Sequence, residues 1–86
     1  MTPVTVTTAS TVVVAPGICD FIHIYNASAQ TVYLNYEGDD AATATGVPLY
    51  TLTSIQLNND GAKQLFTRGV KAIVAATTAE LRIQRG

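Results

Sequence analysis

The 86-residue chain contains one cysteine, one histidine, three prolines and no tryptophan. The single Cys19 excludes an intrachain disulfide and a zinc site built from several cysteines, so the covalent and metal staples of many small domains are missing. Only 13% of the residues are charged, five basic against six acidic. This composition is neither that of a disordered, charge-rich segment nor that of a basic module, and we expect no nucleic-acid partner.

Long apolar runs are also missing. No run approaches the roughly 18 residues that a membrane-spanning helix requires. The first residues, Met-Thr-Pro-Val-Thr-Val, lack the basic start and apolar stretch of a signal peptide. We therefore expect synthesis in the cytoplasm without a signal peptide, and no membrane partner.

Residues that could carry chemistry are few and scattered. His23 lies in the middle of a predicted strand, and Cys19, four residues before it, would be roughly 13 Å away along that strand. No Gly-x-Ser-x-Gly motif is present, and the glycines do not form a phosphate-binding run. The acidic cluster at 37–40 does not match a calcium-binding loop. We expect no enzymatic activity, no cofactor and no metal.

Short alternating segments rich in Val, Ile, Thr and Tyr dominate the chain, and this pattern predicts β-strands. We expect one hairpin between residues 19–26 and 31–36, and a second between 70–76 and 79–85. Leu81 and Ile83 should point inward in the last strand. A short helix is predicted at 62–69 and a surface loop at 37–46. The strands are predicted at Val4–Thr7, Thr11–Val14, Cys19–Asn26, Thr31–Tyr36, Leu52–Leu57, Val70–Ala76 and Ala79–Arg85.

Seven or eight short antiparallel strands predict an all-β fold, a small β-sandwich or a jelly-roll-like barrel, because a single open sheet would leave one apolar face uncovered. The length allows one β domain spanning residues 1–86. Residues 1–16 are a possible extended N-terminal arm, which would add a strand to a neighbouring sheet.

The low charge content also predicts contact with other subunits, since small domains without staples often gain stability by oligomerising. Tyrosines suit such contacts because the ring is apolar and the hydroxyl is polar. The predicted partner-binding residues are Val4, Val6 and Val12 of the arm, together with Tyr33, Tyr36 and Tyr50.

Several motifs resemble those of small virion proteins of tailed bacteriophages. These are Phe-Ile-His-Ile-Tyr-Asn-Ala-Ser from Phe21, Thr-Val-Tyr-Leu-Asn-Tyr-Glu-Gly from Thr31, Gly-Val-Pro-Leu from Gly46, and Ala-Glu-Leu-Arg-Ile from Ala79. The resemblance covers about three quarters of the chain. It implies a capsid decoration or cement protein that is made in the host cytoplasm and binds the major capsid protein on the virion exterior.

The resemblance further implies a symmetric homo-oligomer, often a trimer, that stabilises capsomer junctions. Multivalent attachment would slow dissociation from the capsid. The alternative is a receptor- or glycan-binding module of a phage head or tail fibre, with Tyr33, Tyr36 and the loop at 37–46 as its contact surface.

Overall fold

The computed structural model describes residues 1–17, 21–36, 39–58 and 69–86. These residues form eight β-strands, and the predicted all-β fold is confirmed. The strands are β1 (Thr2–Val6), β2 (Thr11–Val14), β3 (Phe21–Asn26), β4 (Val32–Asn35), β5 (Val47–Leu49), β6 (Ser54–Asn58), β7 (Val70–Val74) and β8 (Ala79–Arg85).

The strands form two four-stranded sheets. The first sheet has the order β1-β8-β3-β6 and the second has the order β2-β7-β4-β5. All of their pairings are antiparallel. The first strand pairs with the eighth, the second with the seventh, the third with the sixth and the fourth with the fifth. This nested pairing, divided between two sheets, is the strand order of a jelly roll.

The core lies between the two sheets and is built from alternate residues of each strand. Ile22 and Ile24 of β3 are completely buried, as are Val32 and Leu34 of β4 to within 1%. Successive side chains of a strand point to opposite faces, so every second residue of these segments enters the core. In β8, Leu81 and Ile83 point inward while Glu80, Arg82 and Gln84 are exposed, as predicted.

The two predicted hairpins are wrong. β3 pairs with β6 and β8 in the first sheet, whereas β4 lies in the second sheet. β7 and β8 are likewise divided between the sheets. Each of these short connections crosses from one sheet to the other, because the apolar faces of consecutive strands pack against each other across the core instead of lying side by side.

The N-terminal residues do not form a separate arm. β1 pairs along its whole length with β8, from Thr2 opposite Ile83 to Val6 opposite Ala79. β2 pairs with β7 in the other sheet. The strands within residues 1–16 therefore pair with strands of the same chain. The predicted helix at 62–69 and Cys19 lie outside the described residues, apart from Gly69.

Candidate interaction surface

The outer face of the first sheet carries a line of ring side chains. Phe21, His23 and Tyr25 alternate with the buried residues of β3, so they point away from the core and are partly exposed. β3 lies between β8 and β6. We call these three side chains the ring row, because they follow one strand through the middle of the sheet.

Polar side chains lie on both sides of the ring row. Tyr25 is opposite Arg82 of β8 and Ser54 of β6. Arg82 also forms a 2.9 Å ion pair with the exposed Glu80. This part of the sheet therefore combines aromatic area with hydrogen-bonding and charged groups, which is the mixture found at protein and ligand contacts.

His23 lies between two glutamines. It is opposite Gln84 of β8 and Gln56 of β6, in the row next to that of Tyr25. A side-chain amide donates and accepts hydrogen bonds, so the exposed Gln84 offers both kinds of group at the surface. The arrangement suits recognition by hydrogen bonds and ring packing.

The outer face of the second sheet is crossed by residues 39–46. The backbone N–H of Ala41 donates a 2.9 Å hydrogen bond to Oγ of Ser10, and Asp40 forms a 3.2 Å ion pair with Lys71. Ala41 is buried. This segment thus connects β4, β7 and the start of β2, and it covers part of the face on which Tyr33 lies.

The three valines predicted to bind a partner occupy different environments. Val6 is completely buried in the core, so the prediction that it contacts a partner is wrong. Side chains alternate along β1, so Val6 faces the core like Val4, two residues before it. Val4 is partly buried and packs against the same core. Val12 is 52% exposed beside Lys71 and is open to a partner.

The three predicted tyrosines do not form one surface. Tyr33 lies on the outer face of the second sheet, opposite Ile73 and Pro48, and is partly buried. Tyr36 packs against the core, and burial raises the pKa of its phenol. Tyr50 is 62% exposed in the connection between β5 and β6. Only Tyr50 is strongly exposed among the three.

A cleft of about 390 Å³ opens between the two sheets beside β1 and β2. Val4, Val13, Val14 and Ile83 supply its apolar lining. At its rim, the guanidinium group of Arg85 donates a 3.1 Å hydrogen bond to the carbonyl oxygen of Ala15. The cleft lies between the start of β1 and the end of β2, which are edge strands of the two sheets.

The described residues contain no group of three or more His, Cys, Asp or Glu side chains that could hold a metal ion. No helix in the described part of the chain has the length and apolar character needed to cross a membrane. No known protein family matches the chain, and neither a curated protein nor a solved structure matches it.

The ring row was missed by the sequence analysis, although its signal is present in the sequence. Rings at positions 21, 23 and 25 share one face of a strand because successive side chains alternate. The sandwich buries only the face of Ile22 and Ile24, and the opposite face is the outside of the first sheet.

Proposed function

We propose that this chain is a structural subunit of a tailed-bacteriophage virion, a decoration or cement protein that binds the major capsid protein on the capsid exterior. The observation that carries the proposal is the difference between the two outer faces. One face has a partly exposed ring row, and the other is crossed by the chain's own residues 39–46. A module with one aromatic face suits one-sided docking onto a larger assembly.

The fold and composition also support this proposal. The jelly-roll strand order recurs in viral capsid proteins, although it also occurs in lectins and cupins. The low charge content favours a surface that becomes covered by other subunits. Self-association would let one particle-bound assembly contact several capsid chains at once and so dissociate slowly.

The experiment mixes the purified chain with undecorated capsids of the source phage and sediments the particles. We expect the chain to pellet in a fixed stoichiometric ratio to the coat protein. Tyr25→Thr and His23→Thr should each weaken binding on the order of tenfold, because central aromatic contacts often contribute above 1 kcal/mol. Threonine is chosen because it is well tolerated in strands.

Val12→Thr is the matched control, since Val12 is exposed on the second sheet and was itself predicted to bind a partner. Binding by this variant should equal that of the wild type. A chain that stays in the supernatant would contradict capsid binding. Ring-row variants that pellet like the wild type, with loss of binding in Val12→Thr, would move the contact to the second sheet.

Glycan binding by a head- or tail-fibre module is the second candidate function. The arrangement that favours it is the exposed Gln84 opposite His23, in the row next to Tyr25. Aromatic rings pack against the apolar faces of sugars, and amides bond to sugar hydroxyls. The test adds host-surface glycans and measures tyrosine fluorescence. A change that is lost in Tyr25→Thr, together with no binding of the wild-type chain to capsids, would favour this function.

A further inference from the structure

The connection between β5 and β6 carries two large apolar side chains at the surface. Tyr50 is 62% exposed and Leu52 is 66% exposed, more than any other large apolar side chain of the described residues. The sequence contains no charged residue between Asp40 and Asp60. We call residues 50–53 the apolar turn. Exposed aromatic and aliphatic side chains on an uncharged segment are typical of a contact surface.

The apolar turn is held in a strained conformation. Leu52 has a φ of 56°, which is unusual for a bulky residue because the side chain crowds the backbone. Its N–H donates a 3.0 Å hydrogen bond to the carbonyl oxygen of Asn26, and the hydroxyl of Thr53 donates a 2.7 Å bond to the carbonyl oxygen of Tyr50. Backbone strain of this kind concentrates at binding sites. A turn that is already fixed also loses little conformational freedom on binding.

The apolar turn and the cleft beside β1 and β2 lie at opposite ends of β8. The turn is bonded to Asn26, which is opposite Leu81 near the start of β8. The cleft of about 390 Å³ is lined by Ile83 and Arg85 near the end of that strand. One copy of the chain can therefore present its turn and receive another turn at the same time.

We infer that the apolar turn of one copy binds in the cleft of a second copy of this chain. The cleft combines the apolar side chains of Val4 and Ile83 with the guanidinium group of Arg85. Leu52 suits the apolar part of this lining. Tyr50 suits the polar part, because its ring is apolar and its hydroxyl can accept a hydrogen bond from the guanidinium group.

Charge and strand geometry select a second copy as the occupant. Arg85 is the charged residue of the cleft lining, and it already donates a hydrogen bond to the carbonyl oxygen of Ala15. The uncharged turn brings no like charge to it and leaves no carboxylate buried without a partner. Beside the cleft, Pro3 in β1 and the register shift in β2 hinder the addition of a strand. A protruding turn meets neither obstacle.

A contact between two different surfaces passes from one copy to the next until it closes into a cyclic oligomer. Such an oligomer agrees with the symmetric assembly that the resemblance implies. Neither the apolar turn nor the cleft includes a residue of the ring row, so each copy keeps its ring row for docking. The inference goes beyond the proposed function, because it names the surfaces that join the copies and does not require capsid binding.

Light scattering of the purified chain without capsids is the first test. We expect a mass that is a whole multiple, two or more, of the 9.1 kDa of one chain. Leu52→Gly removes a side chain that enters the cleft, and Ala15→Trp fills the cleft from an exposed position in its lining. Each should raise the dissociation constant of the oligomer at least tenfold. A wild-type mass of one chain would overturn the inference.

Two matched controls should assemble like the wild type. Thr77→Gly relieves a similar positive φ of 57° at another exposed position, without removing a side chain of the apolar turn. Ala44→Trp adds the same bulk as Ala15→Trp at an exposed position outside the cleft. Loss of assembly in both controls as large as that in Leu52→Gly and Ala15→Trp would overturn the inference.

Mixing the two defective variants gives a second readout. Leu52→Gly keeps an intact cleft and Ala15→Trp keeps an intact turn, so an equimolar mixture should form a complex of two chains that neither variant forms alone. Glycine adopts a positive φ without strain, so Leu52→Gly should fold at least as stably as the wild type. Circular dichroism checks the folding of each variant, and Tyr50→Ser or Thr2→Trp replaces one that does not fold. A mixture of folded variants that stays monomeric would overturn the inference, whatever the result of capsid sedimentation.

Discussion

The side-chain amide of Asn26 donates a 2.9 Å hydrogen bond to the carbonyl oxygen of Leu49, and this bond joins the end of β3 in one sheet to the end of β5 in the other. The same nitrogen donates a 2.6 Å bond to the carbonyl oxygen of Gln30. Oδ1 of Asn26 accepts bonds from the backbone N–H and the hydroxyl of Ser28. Asn26 is completely buried, so these bonds replace those that water would make.

Replacing Asn26 should therefore destabilise the sandwich strongly. We expect Asn26→Ala to lower the free energy of unfolding by about 3 kcal/mol, because it removes the bond to the buried carbonyl oxygen of Leu49 and the part-buried bonds to Gln30 and Ser28. Urea denaturation measures the change. Thr5→Ala, at an exposed position of β1, should change the stability by less than about 0.5 kcal/mol. A loss in Asn26→Ala as small as that of the control would show that Asn26 does not hold the sheets together.

The two valines of the N-terminal strands provide a matched pair. Val6→Ala should cost about 2 kcal/mol of stability, because it removes buried methyl groups and leaves a cavity. Val12→Ala removes the same atoms at a position that is 52% exposed and should cost less than about 0.5 kcal/mol. Thermal and urea unfolding compare the variants. Equal losses of stability in the two variants would contradict the burial of Val6 in the core.

Gly46 tests the packing of residues 39–46 on the second sheet. A Cβ atom at this position would lie 2.7 Å from Cβ of Tyr33 and 2.8 Å from the carbonyl oxygen of Ala42. Gly46→Ala should therefore cost about 1–3 kcal/mol through overpacking. Gly17→Ala is the control, since the contact that its Cβ would make within the described residues is with the flexible end of Arg85. If both variants unfold at the same urea concentration, the segment does not lie against Tyr33 as described.

The partly buried phenol of Tyr36 should make stability depend on pH in the alkaline range. Desolvation raises its pKa above the usual value of 10.0, so the unfolded chain loses this proton first as the pH rises. The contribution of the protonated phenol to the free energy of unfolding is complete below the pKa that Tyr36 has in the unfolded chain. It is lost as the pH rises through the pKa that Tyr36 has in the folded chain. Above about pH 10, the free energy of unfolding should decrease less steeply with pH for Tyr36→Phe than for the wild type, as measured by urea denaturation at several pH values. An identical decline in both proteins would assign the loss to other groups.

Alternating apolar residues were enough to predict seven of the eight described strands, all but β5, and the inward face of the last strand. Leu81 and Ile83 are buried and Arg82 is exposed because the side-chain period of a strand is two, whatever the surrounding fold. Strand pairing was not predictable in the same way. The short segments after Asn26 and Val74 permit a hairpin or a crossing between sheets, and local sequence does not distinguish them.

The sequence by itself therefore determined an all-β fold with few charges and the inward-facing side chains of its last strand, because these follow from composition and from the two-residue period of a strand. Only the tertiary structure decided which outward faces remain exposed, because residues distant in the chain do the covering. Ala41 reaches Ser10 across the second sheet, while the ring row of Phe21, His23 and Tyr25 stays partly exposed on the first. Burial of Val6 and exposure of Tyr50 follow from the same packing, since nonlocal contacts exclude water at one position and not at the other.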